Sequence, residues 1–220
     1  SGSSGQEAED MKWLIDLALE KSDKKLCIDS ADPAVIQAAA GHIAGRREWM
    51  LNSIKGSSES LDVLLPLVRE HRVAFVALAM DESGIARDTE TRLGVCGKIF
   101  AAAQKLGIDP ARIYFDPLVM PLATDVTQAE VTCTCIRRIK ESLDGARTVV
   151  GLSNISHGLP RRGLVNQGFL VATLMHGLDA AIIDPTNLHM RVGLAVGKAL
   201  AGQDRHCRGY ARAFKQGLLD

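Results

Sequence analysis

The sequence has no excess of charge of either sign: Lys and Arg total 26, and Asp and Glu total 26, over 220 residues. It therefore offers no basic field for sequence-independent nucleic-acid binding, and the expected partners are small molecules or other proteins, not nucleic acid. No apolar run reaches the 18 uninterrupted residues that suggest a membrane span, and the first residues lack a charged-then-apolar signal pattern. The expectation is no membrane partner and a cytoplasmic protein. The five cysteines, Cys27, Cys96, Cys133, Cys135 and Cys207, are odd in number and scattered. That argues against a disulfide framework and for a reducing compartment. Cys133 and Cys135 have no second ligand pair at structural-zinc spacing. Two residues apart on a helix they point to different sides, so they read as ordinary small helix residues and no metal site is expected.

The chain is 46% hydrophobic and 24% charged, a balance that suits one compact domain with a substantial core. Residues 1–5, Ser-Gly-Ser-Ser-Gly, are low-complexity and read as a flexible leader or tag scar, with the domain expected over 6–220. From residue 7 onward, helical periodicity alternates with short apolar runs, each closed by Asp, Asn, Pro or Ser, which is an α/β pattern. The strand candidates are Lys25 to Asp29, Trp49 to Asn52, Val73 to Met80, Ile113 to Asp116, Val149 to Asn154 and Ala180 to Asp184. Between them, Asp32 before Pro33 predicts an N-cap with Pro at the first helical position, and Thr127 with Glu130 predicts a capping box. Leu93, Cys96, Phe100 and Ala103 recur at helical spacing, with Gly107 as a stop. Strand-helix repetition without a glycine-rich dinucleotide fingerprint favours a (β/α) barrel over a doubly wound sheet. Only six strands are visible where such a barrel needs eight.

The strand candidates end in polar residues: Asp29, Asn52, Asp81, Asp116, Ser153 with Asn154, and Asp184. In a barrel those ends converge on one mouth. A ring of Asp and Asn suits a neutral heterocycle rich in hydrogen-bonding groups, because a carboxylate accepts two parallel N–H bonds and an amide both donates and accepts. Taken singly, each residue also fits a plain capping role at a strand end.

The segments LCIDSADP (26–33), MLNSI (50–54), YFDPLVMPLATD (114–125), GLSNISHGLPRRGLVNQGFL (151–170) and GLDAAIIDP (177–185) resemble the pterin-binding methyltransferases. These include methyltetrahydrofolate:corrinoid protein methyltransferases and the folate-binding region of cobalamin-dependent methionine synthase. The resemblance implies a (β/α)8 TIM-type barrel whose first two strands have no counterpart here, so an open wall is expected beside Lys25 to Asp29. It implies methyl transfer between methyltetrahydrofolate and the cobalt of a corrinoid carried by a partner protein, with no metal on this chain, and a homodimer. By the same resemblance, Asp29, Asn52 and Asp116 grip the pterin, with Ser153 and Arg162 beside it. Asn154 is then the catalytic amide at the methyl-bearing nitrogen. Asp81, His157 and Asp184 are further candidates, although His157, as a lone histidine, reads first as a loop hydrogen-bonder. Two alternatives stay open: a dihydropteroate synthase-like pterin enzyme and a non-catalytic pterin-binding module.

Overall fold

The computed structural model describes residues 4–219. Of the expected leader, Ser4 and Gly5 instead open the first helix, and Ser1 to Ser3 lie outside the described residues. That helix, α1 (Ser4–Lys21), precedes β1 (Leu26–Asp29) and packs on α2 (Pro33–Ile43). Asp32 caps α2 as expected, its carboxylate accepting from the Ala34 amide at 2.8 Å, and Asp16 of α1 pairs with His42 and Arg46 at 2.9 and 2.7 Å. Further on come β2 (Trp49–Ile54), α3 (Ser58–His71) and β3 (Ala74–Leu78). A two-strand ribbon, β4 (Met80–Asp81) and β5 (Gly84–Ile85), leads into α4 (Thr89–Lys105). The remaining elements are β6 (Ile113–Asp116), α5 (Gln128–Ser142), β7 (Arg147–Gly151), α6 (Arg162–Met175), β8 (Ala180–Ile182), α7 (Leu188–Leu200) and α8 (Arg208–Lys215).

Six strands form one parallel sheet in the order β1-β2-β3-β6-β7-β8. Among the described residues β1 pairs only with β2 and β8 only with β7, so the wall beside β1 is open, as the strand count predicts. Parallel strands need long crossovers, and the helices supply them.

Each strand has two unlike faces because successive side chains alternate. Ile28, Leu51, Phe75, Ala77, Ile113 and Phe115 point to the helices and join Ile36 and Ile43 of α2, Leu64 and Val68 of α3, and Ile99 of α4 in one core. A second core gathers Val150, Leu152 and Ile155 with Ile136 of α5, Phe169, Leu170 and Leu174 of α6 and Met190 of α7. Each such side chain contributes about 1.5–3 kcal/mol of transfer free energy on burial. The other face carries Cys27, Asp29, Met50, Asn52, Val76, Tyr114 and Asp116, the alternate positions of the same strands.

Beyond the starts of β1 and β7 and the end of β2, which move by one or two residues, four readings differ from the structure. Val73 to Met80 is not one strand: β3 stops at Leu78, and Met80 and Asp81 start the antiparallel ribbon. The run to Asn154 ends as strand at Gly151, because residues Leu152–Ser156 coil into a 3-10 helix. The last strand closes at Ile182, two residues before Asp184. The Thr127 capping box does not form. The Thr127 side chain makes no cap bond, and Asp125 takes its place by accepting from the Thr127 amide at 3.0 Å and hydroxyl at 2.7 Å. The helical stripe and stop of α4 hold, with Cys96 and Ala103 buried and Gly107 in the left-handed region at φ 69°.

α6 and α7 approach closely where α7 carries glycine: a Cβ on Gly197 would lie 2.5 Å from a Leu174 methyl and 3.4 Å from the Val171 Cα. Gly197→Val is therefore expected to cost about 1–3 kcal/mol of stability through overpacking, read as a lowered urea midpoint. An unchanged midpoint would mean that the two helices do not meet there.

Candidate functional site

Register places the polar strand-end residues in rows. Asp29 is paired with Asn52, Asn52 with Val76, and Val76 with Tyr114, while Leu78 and Asp116 form the next row toward the strand C-termini. Paired residues of a parallel sheet point to the same face, so Asp29, Asn52 and Asp116 share the face that the helices leave free. The Asn52 amide donates to Asp29 Oδ2 at 3.0 Å, which fixes its oxygen away from the carboxylate. The strand is irregular at this point: β2 shifts register against β3 between Asn52 and Ile54, and the Asn52–Ser53 peptide is cis.

Asp116 differs from its neighbours in being buried. Its Oδ1 accepts the Leu118 amide at 2.8 Å, within a turn where Leu118 adopts φ 67°. Burial pushes the Asp116 carboxyl up to about 6, while the Leu118 and Gly151 amides and the positive charge of Arg92 pull it back. Asp81 and Asp184 do something else. Asp81 accepts from the Ser83 amide and hydroxyl at 2.9 and 2.7 Å, and Asp184 from those of Thr186 at 2.9 and 2.6 Å. These bonds hold both carboxyls below the ordinary range. Both are engaged in turns of their own.

Ser153, Asn154 and His157 lie in or next to the 3-10 helix that follows β7, and all three are exposed. The Asn154 amide group makes no hydrogen bond among the described residues. Its backbone carbonyl accepts from the His157 amide at 3.1 Å, so His157 closes the 3-10 turn through its main chain. Ser153 also acts through its main chain: its carbonyl accepts from Arg162 Nη2 at 2.8 Å, and Arg162 Nε donates to the Ser156 hydroxyl at 3.0 Å. Arg162 thus bolts the start of α6 to the segment that carries Asn154. A cavity of about 430 Å³ opens beside it, lined by Ser153, Arg162, Asn166, Asp184 and Asn187. A larger concavity, about 780 Å³, lies at the opposite end of the strands around Lys25, Arg47, Glu48, Arg112 and Tyr114. Of its charged side chains, Lys25 pairs with Glu48, Arg47 donates to the Ser22 carbonyl, and Arg112 to the Arg72 carbonyl.

The sequence reading missed Arg92 and Gln128. Arg92 is fully buried and donates from Nε to the Ala86 carbonyl at 2.8 Å, from Nη1 to the Leu118 carbonyl at 3.0 Å and from Nη2 to Gln128 Oε1 at 2.7 Å. The signal was available, because Arg92 occupies the buried stripe of α4 with Val95, Cys96, Ile99 and Ala103. A guanidinium at a core position of an amphipathic helix needs partners, and here they are the loops at the strand ends. Among the described residues no three His, Cys, Asp or Glu side chains cluster as a metal site, and no helix is long and apolar enough to cross a membrane.

A sequence profile of the family described as pterin binding enzyme matches residues 2–184. The methylcorrinoid:tetrahydrofolate methyltransferase of Eubacterium limosum is 36% identical over 215 residues, covering 97% of this chain and 79% of that protein. The methionine synthase of Mycobacterium tuberculosis (strain ATCC 25618 / H37Rv) is 31% identical over 191 residues, which is 81% of this chain but 16% of that much longer protein. Among solved structures, a dihydropteroate synthase from Coxiella burnetii in complex with pteroic acid superposes with a TM-score of 0.70, covering 91% of this chain and 75% of the other at 14% identity. That last likeness shows the fold: the six-stranded sheet is a curled part of a (β/α) barrel.

The raised Asp116 carboxyl has a consequence for stability. Between the ordinary carboxylate pKa near 3.8 and its folded value of about 6, the folded protein holds a proton that the unfolded chain has released. The Asp116 contribution to stability is therefore present below about pH 4 and declines as pH rises through about 6, by about 1–3 kcal/mol. Asp116→Asn removes this decline. Urea midpoints of the two proteins at acid and neutral pH should diverge in that direction, and parallel pH profiles would contradict the burial of the carboxyl.

Proposed function

The chain belongs to the pterin binding enzyme family, and on that footing we propose that it moves a methyl group between methyltetrahydrofolate and the cobalt of a corrinoid protein. The observation that carries the binding half is the placement of Asp29, Asn52 and Asp116 on one helix-free sheet face, at the strand ends where barrel enzymes build their sites. The reaction follows from the 36% identity, spread over 97% of the chain, to a protein named for that chemistry. The 14% identity to the dihydropteroate synthase gives that alternative no comparable support.

In this reading the pterin lies across β1, β2 and β6. Asp116 and Asp29 accept ring and amino N–H groups, and Asn52, whose amide already donates to Asp29, presents its oxygen to a donor. A half-buried site strengthens such bonds relative to water. The methyl sits on a tertiary amine, a poor leaving group until its nitrogen gains positive charge. Asn154 is exposed and uncommitted, free to turn its amide toward that nitrogen. An amide is no strong acid, so its contribution is a hydrogen bond that strengthens as charge develops, which is selective stabilisation of the transition state. Cobalt(I), brought as the second substrate by its carrier protein, would supply the electron pair of the new cobalt–carbon bond, while the C–N pair returns to the ring nitrogen, which leaves as the N–H of tetrahydrofolate with a proton taken from solvent.

Two variants test the assignment separately. Asp116→Ala should weaken methyltetrahydrofolate binding by about 2–5 kcal/mol, the scale for breaking a buried charge-assisted pair, and calorimetry with unchanged affinity would remove Asp116 from the site. Asn154→Ala should lower the single-turnover rate with a reduced corrinoid protein about 10- to 1000-fold, with a much smaller loss of folate affinity. A normal rate in Asn154→Ala protein that melts like wild type would leave Asn154 with only a turn-forming role.

A further inference from the structure

We propose that Arg92 is a positioning residue for Asp116: it clamps the loops after β3 and β6 together through the Leu118 turn that holds the Asp116 carboxyl, and its positive charge favours the ionised form of that carboxyl. This rests on the proposed role of Asp116 in gripping the pterin. The geometry is a relay through one residue. Leu118 donates its amide N–H to Asp116 Oδ1 at 2.8 Å while its carbonyl accepts from Arg92 Nη1 at 3.0 Å. The Arg92 Nε holds Ala86, in the loop after β5, and Nη2 holds Gln128 at the start of α5. Gln128 continues the clamp, donating to the Arg87 carbonyl at 3.2 Å and to Asp125 Oδ2 at 3.1 Å. The β6 loop is tied once more, from the Leu122 amide to the Ile155 carbonyl at 3.1 Å, which reaches the 3-10 helix that bears Asn154. A single guanidinium therefore sets the turn beneath Asp116 and, through that loop, touches the segment on the far side of the mouth.

The three acceptors of Arg92 are two carbonyls and a side-chain amide, all neutral. The titratable groups that face it are Asp88, which caps α4 by accepting from the Thr91 amide, the buried Cys96 of α4 and Cys135 of α5, and Asp116 itself. Burial raises both thiols, so they stay neutral near pH 7. With neutral hydrogen-bond acceptors, the charge of Arg92 is paired at contact with no carboxylate among the described residues and acts at longer range on the two carboxylates that face it, Asp88 and Asp116. Asp116 is buried too, and Arg92 opposes the upward push that burial gives it. A carboxylate that must accept two N–H bonds from a pterin has to be ionised, so the same residue would fix both the orientation and the charge state of the grip.

The experiment is a carbon-13 NMR titration of the aspartate carboxyls, with the Asp116 signal assigned by its loss in Asp116→Asn. In Arg92→Met the Asp116 midpoint should rise by about half to one pH unit, and Arg92→Lys should restore most of the wild-type value, since charge is retained. If Arg92→Met does not fold, Gln128→Glu made together with Asp125→Asn places a carboxylate against the guanidinium and should raise the midpoint likewise. A wild-type midpoint in either folded charge-cancelling variant overturns the proposal. In the variants that shift, the acid limb of methyltetrahydrofolate affinity should move up by the same amount, with much less change at pH 8.5. The titration needs no ligand: if wild type binds no methyltetrahydrofolate at any pH, the functional reading fails while the carboxyl midpoints still decide the electrostatic claim. A shifted midpoint with an unshifted binding limb would overturn the positioning role.

Discussion

The alternation of side chains along parallel strands is the constraint on which the rest of this structure depends. Every second residue of β1, β2, β3, β6 and β7 must bury against helices, and the residues between them are left for chemistry. Ile28, Leu51, Phe75 and Phe115 are almost wholly excluded from water. Because their positions are fixed by burial, Cys27, Asp29, Asn52 and Asp116 have no choice of face. A slip of one residue in β1 or β6 would carry the Asp29 or Asp116 carboxylate into the apolar core, at a cost of several kcal/mol. The core thus secures the site without touching a ligand.

Above the sheet, precision comes from polar contacts in loops. Three loops meet at the strand ends: the ribbon after β3, the long connection after β6 and the 3-10 helix after β7. Arg92, Gln128 and Arg162 hold them with bonds of 2.7 to 3.2 Å to main-chain and side-chain oxygens. Only Asp116 in this region combines burial with a carboxyl raised to about 6. Asp81, Asp125 and Asp184 are exposed enough, and well enough supplied with donors, to act as turn formers held below the ordinary range. The same residue type serves two purposes, and the local supply of water and N–H groups separates them.

Much of this was legible in the sequence, and what was missed has physical causes. The six sheet strands could be read because apolar runs are closed by Asp, Asn, Pro or Ser. The open edge at β1 followed from counting them. The Asp32 cap and the Gly107 stop formed as read, since both depend on neighbours two or three residues away. Thr127 misleads because Asp125, two residues earlier, accepts from both its hydroxyl and the amide that Glu130 would take in a capping box. Met80 and Asn154 read as strand residues because local hydrophobicity does not reveal where the hydrogen-bond ladder stops. Arg92 went unnoticed for a different reason: its partners Leu118 and Gln128 are 26 and 36 residues away, so only the fold brings them together.

The central claim is that the pterin of methyltetrahydrofolate lies on the helix-free sheet face, gripped by Asp116 and the Asp29–Asn52 pair. A crystal structure of this chain with methyltetrahydrofolate bound tests it most directly. The account predicts pterin N–H groups within hydrogen-bonding distance of both Asp116 and Asp29, with the methyl-bearing nitrogen toward Asn154. A pterin seated instead in the concavity at the opposite end of the strands, among Arg47, Glu48 and Arg112, would contradict it.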